Sequence, residues 1–361
     1  MTGDEEYFHR IVDEKALAAY LEDALGPTEV YDVRHHQEGH SNETLFVTWG
    51  ERELVIRRPP PGEVAETAHD VLREFRVVDA LQDTDVPVPP TVLASDDHDV
   101  MGSDFYVMER VDGDVLRADE PERFATPEHR RRIGFELVEG LAAVHGVDYD
   151  AVGLEKGDFG WPPDFTERQV RRWTEQIGWA SEVTAEEREI PVLREVTAWL
   201  QDNIPPEDET PDTLVHGDYK LDNVMYAPGT PPRLAAIMDW EMSTLGDPLT
   251  DLGWMLSYWW EPKDPDPPNA TETLNATFMK REGYPTRREL VERYEELTGI
   301  EYRHDRFYRA LAVYKLAGLG EMFFRRYLEG NSADPMYPRM RDGVPQLADR
   351  ALRIIEGEEP L

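Results

Sequence analysis

A chain of 361 residues is long enough to bury two cores, and its 38 basic against 75 acidic residues give a formal net charge of -37. Such a surface repels nucleic-acid phosphates and anionic membranes at every approach, so neither is an expected partner. Cysteine is absent, which excludes disulfides, thiolate nucleophiles and Cys-ligated zinc.

The start, Met1-Thr2-Gly3-Asp4-Glu5-Glu6, has no basic or apolar leader segment. No apolar run approaches the ~20 residues that span a bilayer. A soluble, cytoplasmic protein is expected. Ala16 to Leu25 reads as a short amphipathic helix stopped by Gly26-Pro27. Glu38-Gly39-His40-Ser41-Asn42-Glu43-Thr44 then leads into alternating Leu45, Val47 and Trp49. After Gly50-Glu51-Arg52 comes a second apolar run, Leu54-Val55-Ile56-Arg57, and together they predict a tight hairpin. A hairpin that opens on Gly39, Ser41 and Asn42 can lay backbone N–H groups and small polar side chains over phosphates, although a single glycine also suits an ordinary turn. No G-x-x-x-x-G-K-[ST] occurs, so a P-loop nucleotide site is excluded.

Arg57 ends the second strand before Arg58-Pro59-Pro60-Pro61-Gly62, either as a solvated arginine or as an inward cation for phosphates. The next helix weighs on that choice. Val64, Ala68, Val71, Leu72, Phe75, Val78 and Leu81 repeat at helical spacing, and Glu74 falls on the same stripe, where a lone carboxylate is costly. It calls for a cation, and Arg57 is the expected one. A further strand is predicted through Phe105-Tyr106-Val107-Met108. The following Glu109-Arg110-Val111 reads either as a simple strand end or as a connector between two lobes, residues 1–110 and 111–361, with backbone near Glu109 and Val111 able to read an adenine edge.

Beyond Gly113, Ile133, Leu137, Leu141 and Val144 mark a core helix closed by His145-Gly146, with His145 read as a helix-end residue. Phe159 to Trp199 is rich in aromatic residues and arginine. Thr213-Leu214-Val215, Val224-Met225-Tyr226 and Leu234 to Met238 read as short strands, the last two joined by Pro228-Gly229-Thr230-Pro231-Pro232. Between the first two lies His216-Gly217-Asp218-Tyr219-Lys220-Leu221-Asp222-Asn223, and Asp239-Trp240-Glu241 follows the third.

Singly, Asp218 suits a turn and Asp239 a strand end, but the spacing supplies what phosphoryl transfer requires. Asp218 is expected to take a proton from an acceptor hydroxyl, Lys220 to steady the migrating group, and Asn223 and Asp239 to hold Mg2+. Glu241 is either an accessory acid or solvated. Leu245 to Leu252 is expected to open a helix running on through Trp254 to Trp260. Its Asp251 either braces the catalytic loop or simply favours a helix N-terminus. The remainder reads as helices around Leu290 to Leu297, Phe307 to Phe324 and Val344 to Ile355, without a catalytic signal.

Through His216-Gly217-Asp218-x-x-x-x-Asn223 and Asp239-Trp240, the chain resembles the aminoglycoside phosphotransferase family. Val55 to Gly62, Ala68-His69-Asp70, Arg73-Glu74-Phe75, Phe105 to Glu109 and Leu245-Gly246-Asp247-Pro248 look like the branch related to the kinase-like domain of acyl-CoA dehydrogenase fusion proteins. The resemblance implies an α+β, bilobal protein-kinase-like fold, with a small antiparallel-sheet N-lobe and a mainly helical C-lobe. It also implies transfer from ATP, with Mg2+, to a small-molecule hydroxyl. The resemblance to that branch suggests a hydroxyacyl-CoA acceptor, for which Arg168, Arg171, Arg172, Arg325 and Arg326 are candidate docks. The alternatives are an aminoglycoside, amino-alcohol or sugar kinase, and a silent nucleotide-binding pseudokinase. Lys220 stands where antibiotic kinases commonly carry His, and Arg57 where kinases commonly carry Lys. The acid-rich, lysine-poor composition further resembles proteins of salt-rich cytoplasms, where self-repulsion is screened.

Overall fold

In the computed structural model, which describes residues 3–36, 42–61, 70–268, 276–332 and 334–361, the chain divides into two compact units. Met1–Asp112 with Ala235–Ser243 forms the first, and Gly113–Leu234 with Thr244–Leu361 the second.

The first unit runs α1 (Gly3–Ile11), α2 (Glu14–Leu25), β1 (Tyr31–His36), β2 (Glu43–Trp49), β3 (Arg52–Arg58), α3 (Val71–Ala80), β4 (Thr91–Ser95), α4 (His98–Met101) and β5 (Phe105–Glu109). The strands form one antiparallel sheet in the order β1-β2-β3-β5-β4. Alternation sends Leu45, Val47 and Trp49, Leu54 and Ile56, and Phe105 and Val107 into a core shared with Leu17 and Leu21 of α2. Each such side chain contributes about 1.5–3 kcal/mol by leaving water. The register sets Thr44 opposite Arg57 and Arg57 opposite Tyr106, so the other face carries these three in one row. Asp70 caps α3 by accepting from the Arg73 N–H at 2.9 Å, and the helix buries Val71, Glu74, Val77 and Val78.

The second unit comprises α5 (Pro127–His145), α6 (Phe165–Thr184), α7 (Pro191–Asp202), β6 (Thr213–Val215), β7 (Val224–Tyr226), β9 (Thr244–Gly246), α8 (Leu249–Ser257), α9 (Arg287–Thr298), α10 (Asp305–Leu328) and α11 (Met340–Glu356). The intervening β8 (Leu234–Ile237) leads out of it into the Ala235–Ser243 segment. Thr126 and Pro127 start α5, the threonine accepting from the His129 N–H. The helix α10 is buried nearly all round, against α6, α8 and α11.

Leu245 and Gly246 do not open a helix as expected. They belong to β9, which pairs antiparallel with β6, and the helix begins only at Leu249 after Pro248. The apolar Leu245 fits either state, and the pairing with β6, some thirty residues earlier in the chain, decides it.

Candidate active site

In the first unit, Arg57 stands at the centre of a row of partners. Its Nη1 donates to Thr44 Oγ1 at 3.2 Å, and its Nη2 reaches Glu74 Oε1 at 3.5 Å and Asp239 Oδ1 at 3.1 Å. Burial opposes the Arg57 charge, but Glu74, Tyr106 and Asp239 outweigh it and raise its pKa above the ordinary range. Glu74 is almost fully buried, which pushes its carboxyl up, while the Arg57 guanidinium pulls it back. The ion pair thus anchors the third strand to the helix that follows it.

Asn42 is buried and donates through Nδ2 to Glu74 and Glu241, each at 3.4 Å, so Glu241 joins this cluster. Ser41, the other residue expected over phosphates, lies outside the described residues, as does Gly39. Asp239 adopts left-handed backbone, φ 65 and ψ 60, which asparagine and aspartate tolerate better than other side-chain-bearing residues. Its side chain is one-third exposed. The Glu109 N–H donates to Pro90 O and the Arg110 N–H to Glu53 O, both at 2.8 Å, and the Glu109 side chain pairs with Arg52 at 2.6 Å. Of the expected adenine-reading segment, Val111 lies just past these sheet bonds.

In the second unit the loop after β6 is held from several elements. Gly217 takes φ 83, a left-handed turn that a Cβ would strain. Asp251 of α8 accepts from the N–H groups of His216 and Gly217 at 2.6 and 2.8 Å. His145 lies 3.4 Å from the same carboxylate through Nε2 and 2.7 Å from Tyr294 Oη through Nδ1, so it belongs to the brace as well as to a helix end. Burial pushes Asp251 up, but the hydrogen bonds and charge of the two histidines hold it below the usual carboxylate range. Further along, Tyr219 and Tyr226 donate to the Leu137 and Ile133 carbonyls of α5 at 2.7 and 2.8 Å.

This bracing presents Asp218. Lys220 Nζ lies 2.5 Å from Asp218 Oδ2, and Asn223 Nδ2 donates to the same oxygen at 2.7 Å and to the Asp218 carbonyl at 2.8 Å. Burial raises the Asp218 pKa, but Lys220 and Lys315 outweigh it and keep the carboxylate ionised. Lys220 is itself held charged, Asp218 and Asp222 overcoming its burial. Because the Asn223 amide directs its N–H donors at Asp218, its carbonyl oxygen is the atom available to a hard cation. Sequence reasoning missed Lys315. Its partner, the Gly217 carbonyl, is 98 residues away, so no local pattern could reveal it.

Among the five candidate docking arginines, Arg171, Arg172 and Arg326 are exposed. Arg168 donates to the Trp161 carbonyl, and Arg325 lies 3.8 Å over the Trp179 ring while pairing with Glu329 at 2.8 Å.

A sheet that delivers a cation to a helix glutamate, with a braced Asp-x-Lys-x-x-Asn loop and a following Asp, defines the protein-kinase-like class of phosphotransferases. The chain belongs to the APH family, the phosphotransferase enzyme family, whose profile matches residues 32–290. It is 33% identical over 352 residues to acyl-CoA dehydrogenase family member 11 of Rattus norvegicus, covering 95% of this chain and 43% of that protein. The chain therefore spans less than half the length of this curated relative. A solved structure from Ralstonia eutropha, a presumptive aminoglycoside phosphotransferase, superposes with a TM-score of 0.80 at 31% identity, covering 95% of this chain and 98% of that one. The complex of APH(2'')-IIIa with GDP and kanamycin shares the fold, with a TM-score of 0.61 at 14% identity over 93% of this chain and 98% of that one.

Proposed function

We propose that the protein is an ATP- and Mg2+-dependent small-molecule kinase that transfers the γ-phosphoryl group to a substrate hydroxyl, with a hydroxyacyl-CoA as acceptor. The observation that carries the reading is Asp218, a partly buried carboxylate kept ionised by cations at the tip of a braced loop. An ionised carboxylate can accept the hydroxyl proton as the new P–O bond forms, and Lys220 beside it offsets negative charge on the migrating group. Arg57, fixed by Glu74, contacts phosphate oxygens. Asn42 belongs to the segment over the phosphates, and Glu109 and Val111 to the backbone that receives adenine.

The donor set suits Mg2+. Asp239 offers a partly exposed carboxylate and Asn223 an amide oxygen, both hard ligands, and among the described residues no cluster of three or more acidic, His or Cys side chains competes for a metal. Mg2+ is usually held by one or two protein oxygens together with substrate phosphates. Held by Asn223 and Asp239, such an ion would supply positive charge against the phosphate oxygens of the nucleotide.

Charge supports the choice of acceptor class. In a chain of net charge -37, Lys220 and Lys315 both act on Asp218, and Arg172 acts on Lys315. That neighbourhood suits an anionic acceptor better than a polycation such as kanamycin. The likeness to acyl-CoA dehydrogenase family members points the same way. ADP release is measured on panels of hydroxyacyl-CoAs, aminoglycosides, amino alcohols and sugars in about 2 M KCl, where surface charge is screened. Turnover on hydroxyacyl-CoAs is expected. Turnover on an amino sugar alone would overturn the acceptor class, and ATP binding without turnover would favour a nucleotide-binding module.

A further inference from the structure

Lys315 lies in α10 among Ala312, Val313, Tyr314 and Leu316, all buried, a place where an ammonium is costly unless it is partnered. Its Nζ donates to the Gly217 carbonyl at 2.5 Å and sits 4.1 Å from the Trp254 ring centroid and 5.8 Å from that of Trp173. The two indole faces favour the cation beside them. On the other side of the same residue, the Gly217 N–H is bonded to Asp251. Glycine is the residue with the greatest backbone freedom, yet at Gly217 both the N–H and the C=O are clamped, one from α8 and one from α10.

We infer that Lys315 is a positioning residue for phosphoryl transfer, fixing the Gly217–Asp218 peptide and through it the direction of the Asp218 carboxylate. The inference rests on the kinase reading above for its kinetic consequence, but not for the contact itself. The charged groups that act on Lys315 are Asp218 and Lys220 of the loop, Asp251 of α8 and Arg172 of α6. Burial pushes its ammonium down to about 8, the two carboxylates working against that and the two cations with it. Lys220, held high by Asp218 and Asp222, stays charged in that range.

The test compares wild type, Lys315→Met and Lys315→Arg. A displaced Asp218 slows chemistry without altering nucleotide binding. Lys315→Met is therefore expected to lower kcat by about 10- to 100-fold, with the KM for ATP within about twofold of wild type. Lys315→Arg is expected to recover part of kcat and to move the alkaline limb of the kcat–pH profile, near 8 in wild type, upward. In parallel, 13C-carbonyl glycine labelling reads the contact without turnover: one glycine signal should titrate near pH 8 in wild type and be displaced and flat in Lys315→Met. An unchanged kcat in a folded Lys315→Met protein would overturn the proposal, as would an equal rise in the ATP KM. If wild type turns over no acceptor, the kinase reading fails, and the glycine signal alone then decides whether Lys315 holds Gly217.

Discussion

Replacing Asp251 by alanine should uncouple the catalytic loop from the helical unit. The carboxylate accepts from two backbone N–H groups, at 2.6 Å from His216 and 2.8 Å from Gly217; His216 and Asp251 are buried and Gly217 is half-buried. Leaving a buried donor unsatisfied costs about 1–3 kcal/mol; with the half-buried Gly217 amide at the low end of that range, the two orphaned amides cost about 2–4 kcal/mol in Asp251→Ala. That is a large share of the about 5–15 kcal/mol that holds a domain together. Asp251→Asn keeps the shape and one acceptor oxygen, so its loss should be about half as large, about 1–2 kcal/mol. Because the folded-state pKa of Asp251 is depressed, its contribution is present above the unfolded value of about 3.9 and lost as pH falls through the lower folded value. The asparagine variant should lack that acid-side slope. Urea midpoints at neutral pH and at about pH 3, with hydrogen exchange of the His216 and Gly217 amides, measure each part. An Asp251→Ala protein with wild-type midpoint and wild-type protection of those amides would refute the reasoning.

Glu74→Ala removes the buried partner of Arg57 but leaves Asp239 at 3.1 Å, so it should cost less than the about 3–5 kcal/mol of a fully orphaned buried charge, and Glu74→Gln, which keeps a hydrogen-bond acceptor, should cost less still; thermal unfolding of both variants checks the order. In the second unit, Glu359 lies among three buried arginines, 2.8 Å from Arg350 Nη2, 3.4 Å from Arg309 Nη1 and 4.0 Å from Arg287 Nη1. Burial raises its pKa, but Arg350 and Arg309 outweigh this. Its stabilisation is therefore present above about 4.3 and lost as pH falls through the folded value, and Glu359→Gln should flatten stability against pH on the acid side. With a net charge of -37, the unfolding midpoint should rise as KCl is taken from about 0.1 to 2 M; a midpoint that falls over that range would count against a salt-adapted surface.

What could be read in the sequence was what is local in it. The Asp218, Lys220 and Asn223 spacing lies within one loop, and Glu74 betrayed itself by interrupting an apolar stripe, which called for a nearby cation. The strands Glu43–Trp49 and Arg52–Arg58 showed plain alternation across a turn. By contrast, Tyr31–His36 buries only Val33 and reads as polar, and Thr91–Ser95 follows a proline-rich stretch, so neither strand announced itself. The pairing of Thr244–Gly246 with Thr213–Val215 joins distant segments, and no periodicity within Leu245 to Leu252 could reveal it. Arg287, Arg309 and Arg350 look like ordinary surface arginines in sequence; only the return of the chain at Glu359 makes them a buried cluster. Lys315 belongs to the same class, a charge whose meaning lies in a carbonyl far along the chain.

The central claim is that Asp218 directs transfer of a phosphoryl group to a hydroxyl. The direct measurement is 31P NMR of a reaction holding ATP, Mg2+ and a hydroxyacyl-CoA, run with wild type and with Asp218→Asn. The account predicts growth of a phosphate-monoester resonance matched by ADP in wild type, and a rate lower by about 1000-fold or more in Asp218→Asn, given that general-base catalysis and charge placement each supply factors of this order. An Asp218→Asn protein that forms the same ester at the wild-type rate would contradict it.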